Sequence, residues 1–403
     1  MESIKEIFRI GHGPSSSHTM GPSLAANIYK ERHPEAKKIK VTLFGSLALT
    51  GKGHLTDVAV AEALKPAETE IVWKKDVKKE FHPNAMEFEI TDEGSDPDRW
   101  LIYSVGGGKI VDDAEKDTPP AMIYKQKNMH DVLTYYKETG KSFWELVFET
   151  EGEEIKEYLG EVWDAMKAAI NRGIDKEGLI PGGLKLQRKA ASYYIKSKRL
   201  TDHLATMSRI FAYALAVSEE NASGGIVVTA PTCGSSGILP AVLKITQEHY
   251  DLSDEHIIRA LATAGLIANI VKHNASISGA EVGCQGEVGT ACAAAAAAAT
   301  QLAGGSPAQI EYAAEMGLEH HLGLTCDPIN GLVQIPCIER NVHAAARAFD
   351  SARYSLLSDG KHFIGFDVVT KVMKETGKDL PSLYRETALG GLAIFGNSDF
   401  VDN

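Results

Sequence analysis

Residues 291–300 read Ala-Cys-Ala-Ala-Ala-Ala-Ala-Ala-Ala-Thr, and this run restricts the fold more than any other stretch of the chain. Alanine is the strongest helix former, so the run is read as a helix and not as a disordered linker. Its small side chains let neighbouring helices approach closely, and the expected place for it is the buried centre of a helical unit. A Gly304-Gly305 pair follows it.

The flanking sequence supports that reading. Segments 204–218, 254–273, 287–302 and 339–356 are amphipathic or Ala-rich at the helical period, and little Val/Ile alternation is left beyond residue 142. The first 125 or so residues differ: a helix is expected over 22–32, and extended segments over 39–49, 70–73, 86–90 and 101–105. The fold class is therefore α+β, an N-terminal α/β sandwich-like domain followed by a mostly all-α catalytic domain. The polar stretch 113–141, with Pro119-Pro120, reads as a connector that ends in a first helix. It places the domains at 1–130 and 131–403, and 403 residues are enough for two cores.

Composition excludes several function classes. A net charge of -12 with no basic run argues against nucleic acid. With 44% apolar and 24% charged residues the chain is an ordinary globular one. It shows neither a signal-peptide core at Met1-Glu2-Ser3-Ile4-Lys5 nor a membrane-length apolar stretch, so no membrane and a cytoplasmic location are expected. Five cysteines, all between Cys233 and Cys337, suit reduced thiols or metal ligation better than a disulfide framework.

Three of them stand out: Gly283-Cys284-Gln285-Gly286, Thr325-Cys326-Asp327-Pro328 and Ile335-Pro336-Cys337-Ile338-Glu339-Arg340-Asn341. They lie at expected helix or loop edges, where backbone can turn thiolates toward one point. The spacing matches neither a zinc ribbon nor a ferredoxin, and on spacing alone buried free cysteines are the commoner explanation. The loop Ser15-Ser16-Ser17-His18-Thr19 precedes the first helix, and its hydroxyls and amides suit a carboxylate as well as simple N-capping. Gly106-Gly107-Gly108 lacks the spacing of a phosphate-binding loop and reads as a turn.

Taken together, these segments resemble the iron-sulfur-dependent bacterial L-serine dehydratases. The resemblance runs from Gly11-His12-Gly13-Pro14-Ser15-Ser16-Ser17-His18-Thr19 to Tyr384-Arg385-Glu386-Thr387 and Gly390-Gly391-Leu392-Ala393-Ile394. It passes through Thr50-Gly51-Lys52-Gly53-His54, Pro181-Gly182-Gly183-Leu184, Thr229-Ala230-Pro231-Thr232 and Asn274-Ala275-Ser276-Ile277-Ser278-Gly279-Ala280-Glu281-Val282-Gly283-Cys284. It implies that Cys284, Cys326 and Cys337 hold a 4Fe-4S cluster with one open iron, that L-serine is the substrate, and that pyridoxal phosphate is not used. It further implies a histidine base, His54 first and His18 second, with Ser15, Ser16, Ser17, Thr19, Lys52 and Asn274 about the substrate. A homodimer is the expected assembly.

The sequence departs from the family at two points. Many members end in a cysteine that occupies the open iron, whereas this chain ends Asn397-Ser398-Asp399-Phe400-Val401-Asp402-Asn403; and Cys233 stands where relatives often carry asparagine. Three other readings remain open on the residues: a cluster-dependent lyase acting on cysteine or threonine, a pyridoxal-phosphate dehydratase using Lys109, and a non-catalytic iron-sulfur sensor.

Overall fold

The computed structural model describes residues 1–92 and 98–395, and its architecture is α+β. The strands are β1 (Ile10–His12), β2 (Lys38–Phe44), β3 (Glu68–Lys74), β4 (Ala85–Ile90), β5 (Arg99–Gly106), β6 (Lys109–Asp112) and β7 (Ile226–Val228). Five of them form one sheet in the order β3-β2-β4-β5-β6, with β2 and β3 parallel and the other neighbours antiparallel. Helices Gly21–Arg32 and Thr56–Leu64 bury Ala25, Tyr29, Val60 and Leu64 against Val41, Leu43, Phe88 and Ile102 of that sheet. Such alternation of inward side chains is what a one-sided sheet requires.

The expected extended segment 39–49 ends early, because Gly45 takes φ +50 and opens a short helix, Gly45–Thr50. The strand β6 was not anticipated. The glycines 106–108, all at positive φ, make the turn of the β5–β6 hairpin.

The remaining chain is helical, and helix Thr290–Leu302 lies at its centre with every residue from Thr290 to Thr300 buried. Helices Ile238–Tyr250, Asp254–Asn274, Pro307–Glu319 and Cys337–Leu356 surround it. The first eight residues join this core and not the sheet: Met1, Ile4, Ile7 and Phe8 are buried in it, and β1 pairs with β7. Among the described residues no helix is long and apolar enough to cross a membrane.

Close helix approach is most severe at Gly317, where an added Cβ would stand 2.8 Å from Ala293 Cα and 2.9 Å from Ala293 N. Backbone cannot yield as a side chain can, so Gly317→Ala is expected to lower unfolding free energy by about 1–3 kcal/mol. Gly160→Ala, on a helix position whose nearest neighbour would be Ile258 Cδ1 at 3.9 Å, is expected to raise it by about 0.4–1 kcal/mol. Urea unfolding of the two variants distinguishes these signs, and equal shifts would contradict the packing argument.

Candidate active site

The trio of cysteines converges because three chain segments are pinned together. Gly283, at φ +73, lies so close to the carbonyl of Leu324 that a Cβ would stand 2.6 Å from its oxygen. Gln285 then ties the two segments: its Oε1 accepts from Gly323 N at 2.9 Å and from Thr376 Oγ1 at 3.0 Å. Cys326 N donates to Tyr384 O at 2.8 Å, and Thr387 N donates to Cys326 O at 3.1 Å, so a late segment clasps the second cysteine. Cys337 opens helix Cys337–Leu356, and one turn later Arg340 Nη1 donates to Thr325 O at 2.7 Å.

Cys284 Sγ and Cys326 Sγ each lie 3.8 Å from Glu287 Oε2, and the three atoms fall within 4.8 Å of one another. The other Glu287 oxygen accepts from Thr232 Oγ1 at 2.7 Å. Gly279 lines this cradle, where a Cβ would stand 2.6 Å from Glu287 Oε2 and 3.2 Å from Cys326 Sγ. A hydrogen bond with Cys284, then burial, pushes the Cys326 thiol well up; burial, then the Cys284 charge, does the same for Cys337. Burial, followed by the charge of Glu386, raises Glu287 to about 7.

The histidines come from the other region. Ser15–Met20 form a single wide turn in which Ser15 Oγ accepts from His18 N at 3.1 Å. The loop bearing His54 is laced to that turn: Thr19 Oγ1 donates to His54 O at 2.7 Å and Thr56 Oγ1 to His18 O at 2.6 Å. The two rings meet edge to face with centroids 4.5 Å apart. Gly53 presses on the loop between Cys326 and Cys337, since a Cβ there would stand 2.8 Å from Gly331 O.

Both nitrogens of His18 are engaged, Nδ1 with Ser17 Oγ at 2.9 Å and Nε2 with Ser46 Oγ at 3.2 Å. His54 Nδ1 is buried with no hydrogen-bond partner. Burial drives His18 down to about 4, and burial plus the neighbouring His18 drives His54 well below its ordinary value. Both rings are therefore neutral at pH 7. Glu386 bridges the two halves: its Oε1 accepts from Ser17 Oγ at 3.3 Å and lies 3.4 Å from His18 Nδ1, while its neighbour Thr387 is bonded to Cys326.

Across residues 28–393 the chain matches the family Serine dehydratase alpha chain. It belongs to that family. It is 42% identical to the L-serine dehydratase of Streptomyces coelicolor, covering 97% of this chain and 98% of that protein. It is 40% identical to the L-serine dehydratase of Haemophilus influenzae and 39% identical to L-serine dehydratase 2 of Escherichia coli, with 98% of this chain and 99% of each relative covered.

In this serine dehydratase family member the structure brings Cys284 and Cys326 together about Glu287, leaves Cys337 within electrostatic reach of Cys284, and packs His18 against His54 beside the turn of Ser15, Ser16, Ser17 and Thr19. Two other residues named from the sequence have contacts of their own. Lys52 is exposed, its Nζ 5.8 Å over the Trp73 ring, because the loop turns its neighbour His54 inward instead. Asn274 closes helix Asp254–Asn274, its Nδ2 donating to Lys127 O at 2.7 Å and Ile270 O at 2.9 Å. Cys233 is buried with Sγ 3.7 Å from Met20 Sδ, and Cys292 packs inside the Ala-rich helix. The family's terminal cysteine position falls among residues 396–403, outside the described residues.

Glu287 and Glu386 were missed by sequence reasoning. Glu287 carried a signal, standing three residues after Cys284 on one turn. Glu386 lay inside the family segment Tyr384-Arg385-Glu386-Thr387 but was given no role, because its place depends on the clasp about Cys326.

Proposed function

We infer that the chain is an L-serine ammonia-lyase, converting L-serine to pyruvate and ammonia. Glu386, which reaches His18 from the segment bonded to Cys326 and so links the thiol side to the histidine side, carries this reading, and relatives named L-serine dehydratase agree with it. Three free thiols brought together, with a carboxylate between two of them and a glycine leaving room beside it, fit a 4Fe-4S cluster held by Cys284, Cys326 and Cys337. When bound, that cluster supplies an open, Lewis-acidic iron, which makes the β-hydroxyl of serine a better leaving group.

The chain's own residues supply the rest. His54, neutral and with a free ring nitrogen, takes the α-proton. His18, held at both nitrogens, fixes the edge on which His54 rests. The hydroxyls and amides of Ser15, Ser16 and Ser17 receive the substrate carboxylate, while Thr19, whose hydroxyl is given to His54 O, holds the turn to the His54 loop. Loss of hydroxide and proton leaves aminoacrylate, which tautomerises and hydrolyses to pyruvate and ammonia. In this scheme residues 1–130 bring the base and 131–403 the thiols. Five free cysteines accord with a reducing compartment, the cytoplasm.

Anaerobic purification tests the proposal. The expected result is about four irons and four sulfides per chain, with pyruvate formed from L-serine and lost together with iron in air. Full turnover by iron-free protein would overturn the mechanism, and a loaded cluster without turnover would favour the sensor.

A further inference from the structure

We propose that the Glu386 carboxylate is the substrate-binding residue that receives the α-ammonium group of L-serine. This rests on the ammonia-lyase reading and extends it to the one charged group of the substrate that the residues above leave without a partner. The carboxylate has the hydroxyl-rich turn, the hydroxyl faces the thiol side, and the α-proton has His54. An ammonium taken out of water needs an anionic acceptor close to all three.

Among the described residues Glu287, Asp327 and Glu386 are the acids beside these groups; Asp327 accepts from Thr325 Oγ1 and Leu392 N and faces Arg340, and the other two differ in what they have free. Glu287 has one oxygen bonded to Thr232 and turns the other to Cys284 and Cys326. Glu386 has Oε1 toward Ser17 and His18, while no hydrogen bond among the described residues reaches its Oε2. Its side chain is 12% exposed, yet no lysine or arginine among the described residues pairs with it, and the adjacent Arg385 is turned to Glu281 O at 3.2 Å. A carboxylate so enclosed without a cation is costly, and a cationic ligand offsets that cost.

Its placement is also rigid. Glu386 has φ +46, in the left-handed region that a side chain with a Cβ disfavours, and the bonds of Cys326 to Tyr384 and Thr387 hold it there from both sides. It thus stands against His18, whose ring packs on His54, on the segment that clasps Cys326. Keeping the substrate nitrogen protonated preserves its electron withdrawal from Cα until the proton has gone.

The experiment compares two molecules that share the carboxylate and β-hydroxyl: L-serine as substrate and L-glycerate, with hydroxyl in place of ammonium, as competitive inhibitor. For Glu386→Gln holoenzyme the KM for L-serine is expected to rise about a hundredfold, because one partner of an enclosed charge pair is lost. The Ki for L-glycerate is expected to stay within about twofold, with iron content and the reduced cluster's EPR spectrum unchanged. Parallel weakening of both molecules, or an unchanged KM, would overturn the assignment. If the Gln variant fails to load iron, Glu386→Asp is read in the same way, with a KM rise of about tenfold for L-serine alone. Wild-type enzyme that does not turn over L-serine would sink the ammonia-lyase reading itself, whereas an active wild type beside an unaltered Glu386→Gln sinks only this proposal.

Discussion

Cys326→Ala is expected to yield a folded protein with cluster affinity reduced more than about a hundredfold and no measurable serine turnover, since even an outer partner of a metal ligand contributes about 10–100-fold. The backbone at this position is held independently of the thiol, by the bonds to Tyr384 and from Thr387, so loss of the sulfur leaves the loop in place. Without metal the thiol is held well above its ordinary value by Cys284 and by burial, so ligation must displace its proton, and loading is expected to improve as pH rises. Iron per chain, visible absorption and circular dichroism check this together. Cys292→Ala supplies the contrast: that thiol is fully buried inside the Ala-rich helix, away from the trio, and the variant is expected to keep iron and turnover. Full iron in Cys326→Ala would remove it from the ligand set.

For His54→Gln the expected loss is about 10²–10⁴ in kcat, with iron content retained. The residue is 3% exposed, has an unoccupied Nδ1 and is neutral at pH 7, which is the state a base requires. His18→Gln is expected to lose less, because its nitrogens already serve Ser17 and Ser46. The reverse order in steady-state rates would exchange the two roles.

The same burial has a consequence for stability. An unfolded histidine takes up a proton near 6.5, while native His18 does so only at about 4 and His54 well below its ordinary value. The unfolded state therefore binds more protons below 6.5, and stability falls as pH drops from 6.5 toward 4, by at most about 1.4 kcal/mol per pH unit for each ring. Urea midpoints at about pH 7.5 and about pH 5.5 measure it. A midpoint that rises on acidification would contradict the burial of these two rings.

Much of this molecule was legible in one dimension, and for a definite reason. Helix periodicity is local, so segments expected over 254–273 and 339–356 appear as Asp254–Asn274 and Cys337–Leu356. The Ala-rich run was read as central because small side chains let neighbouring helices approach closely, and it is buried from Thr290 to Thr300. Where a glycine changes the backbone's direction the reading failed: Gly45 turned an expected strand end into a helix.

The site divides along the same line. The three cysteines and two histidines were singled out by the resemblance to the family, since on spacing alone the cysteines read as buried free thiols; the fold then sets Cys284 and Cys326 about Glu287 and packs the two imidazoles edge to face. Lys52 and Asn274 shared the family's motifs, and the fold gives them partners the sequence did not show, the Trp73 ring for one and the Ile270 carbonyl for the other. What only the tertiary structure decided was the role of groups whose meaning comes from neighbours far along the chain. Glu386 is an ordinary acid by sequence, and it becomes a member of the site because Cys326, 60 positions earlier, bonds the backbone on either side of it. Local propensity is written residue by residue, whereas the burial, pairing and proton affinity of such a carboxylate exist only once distant segments have closed around it.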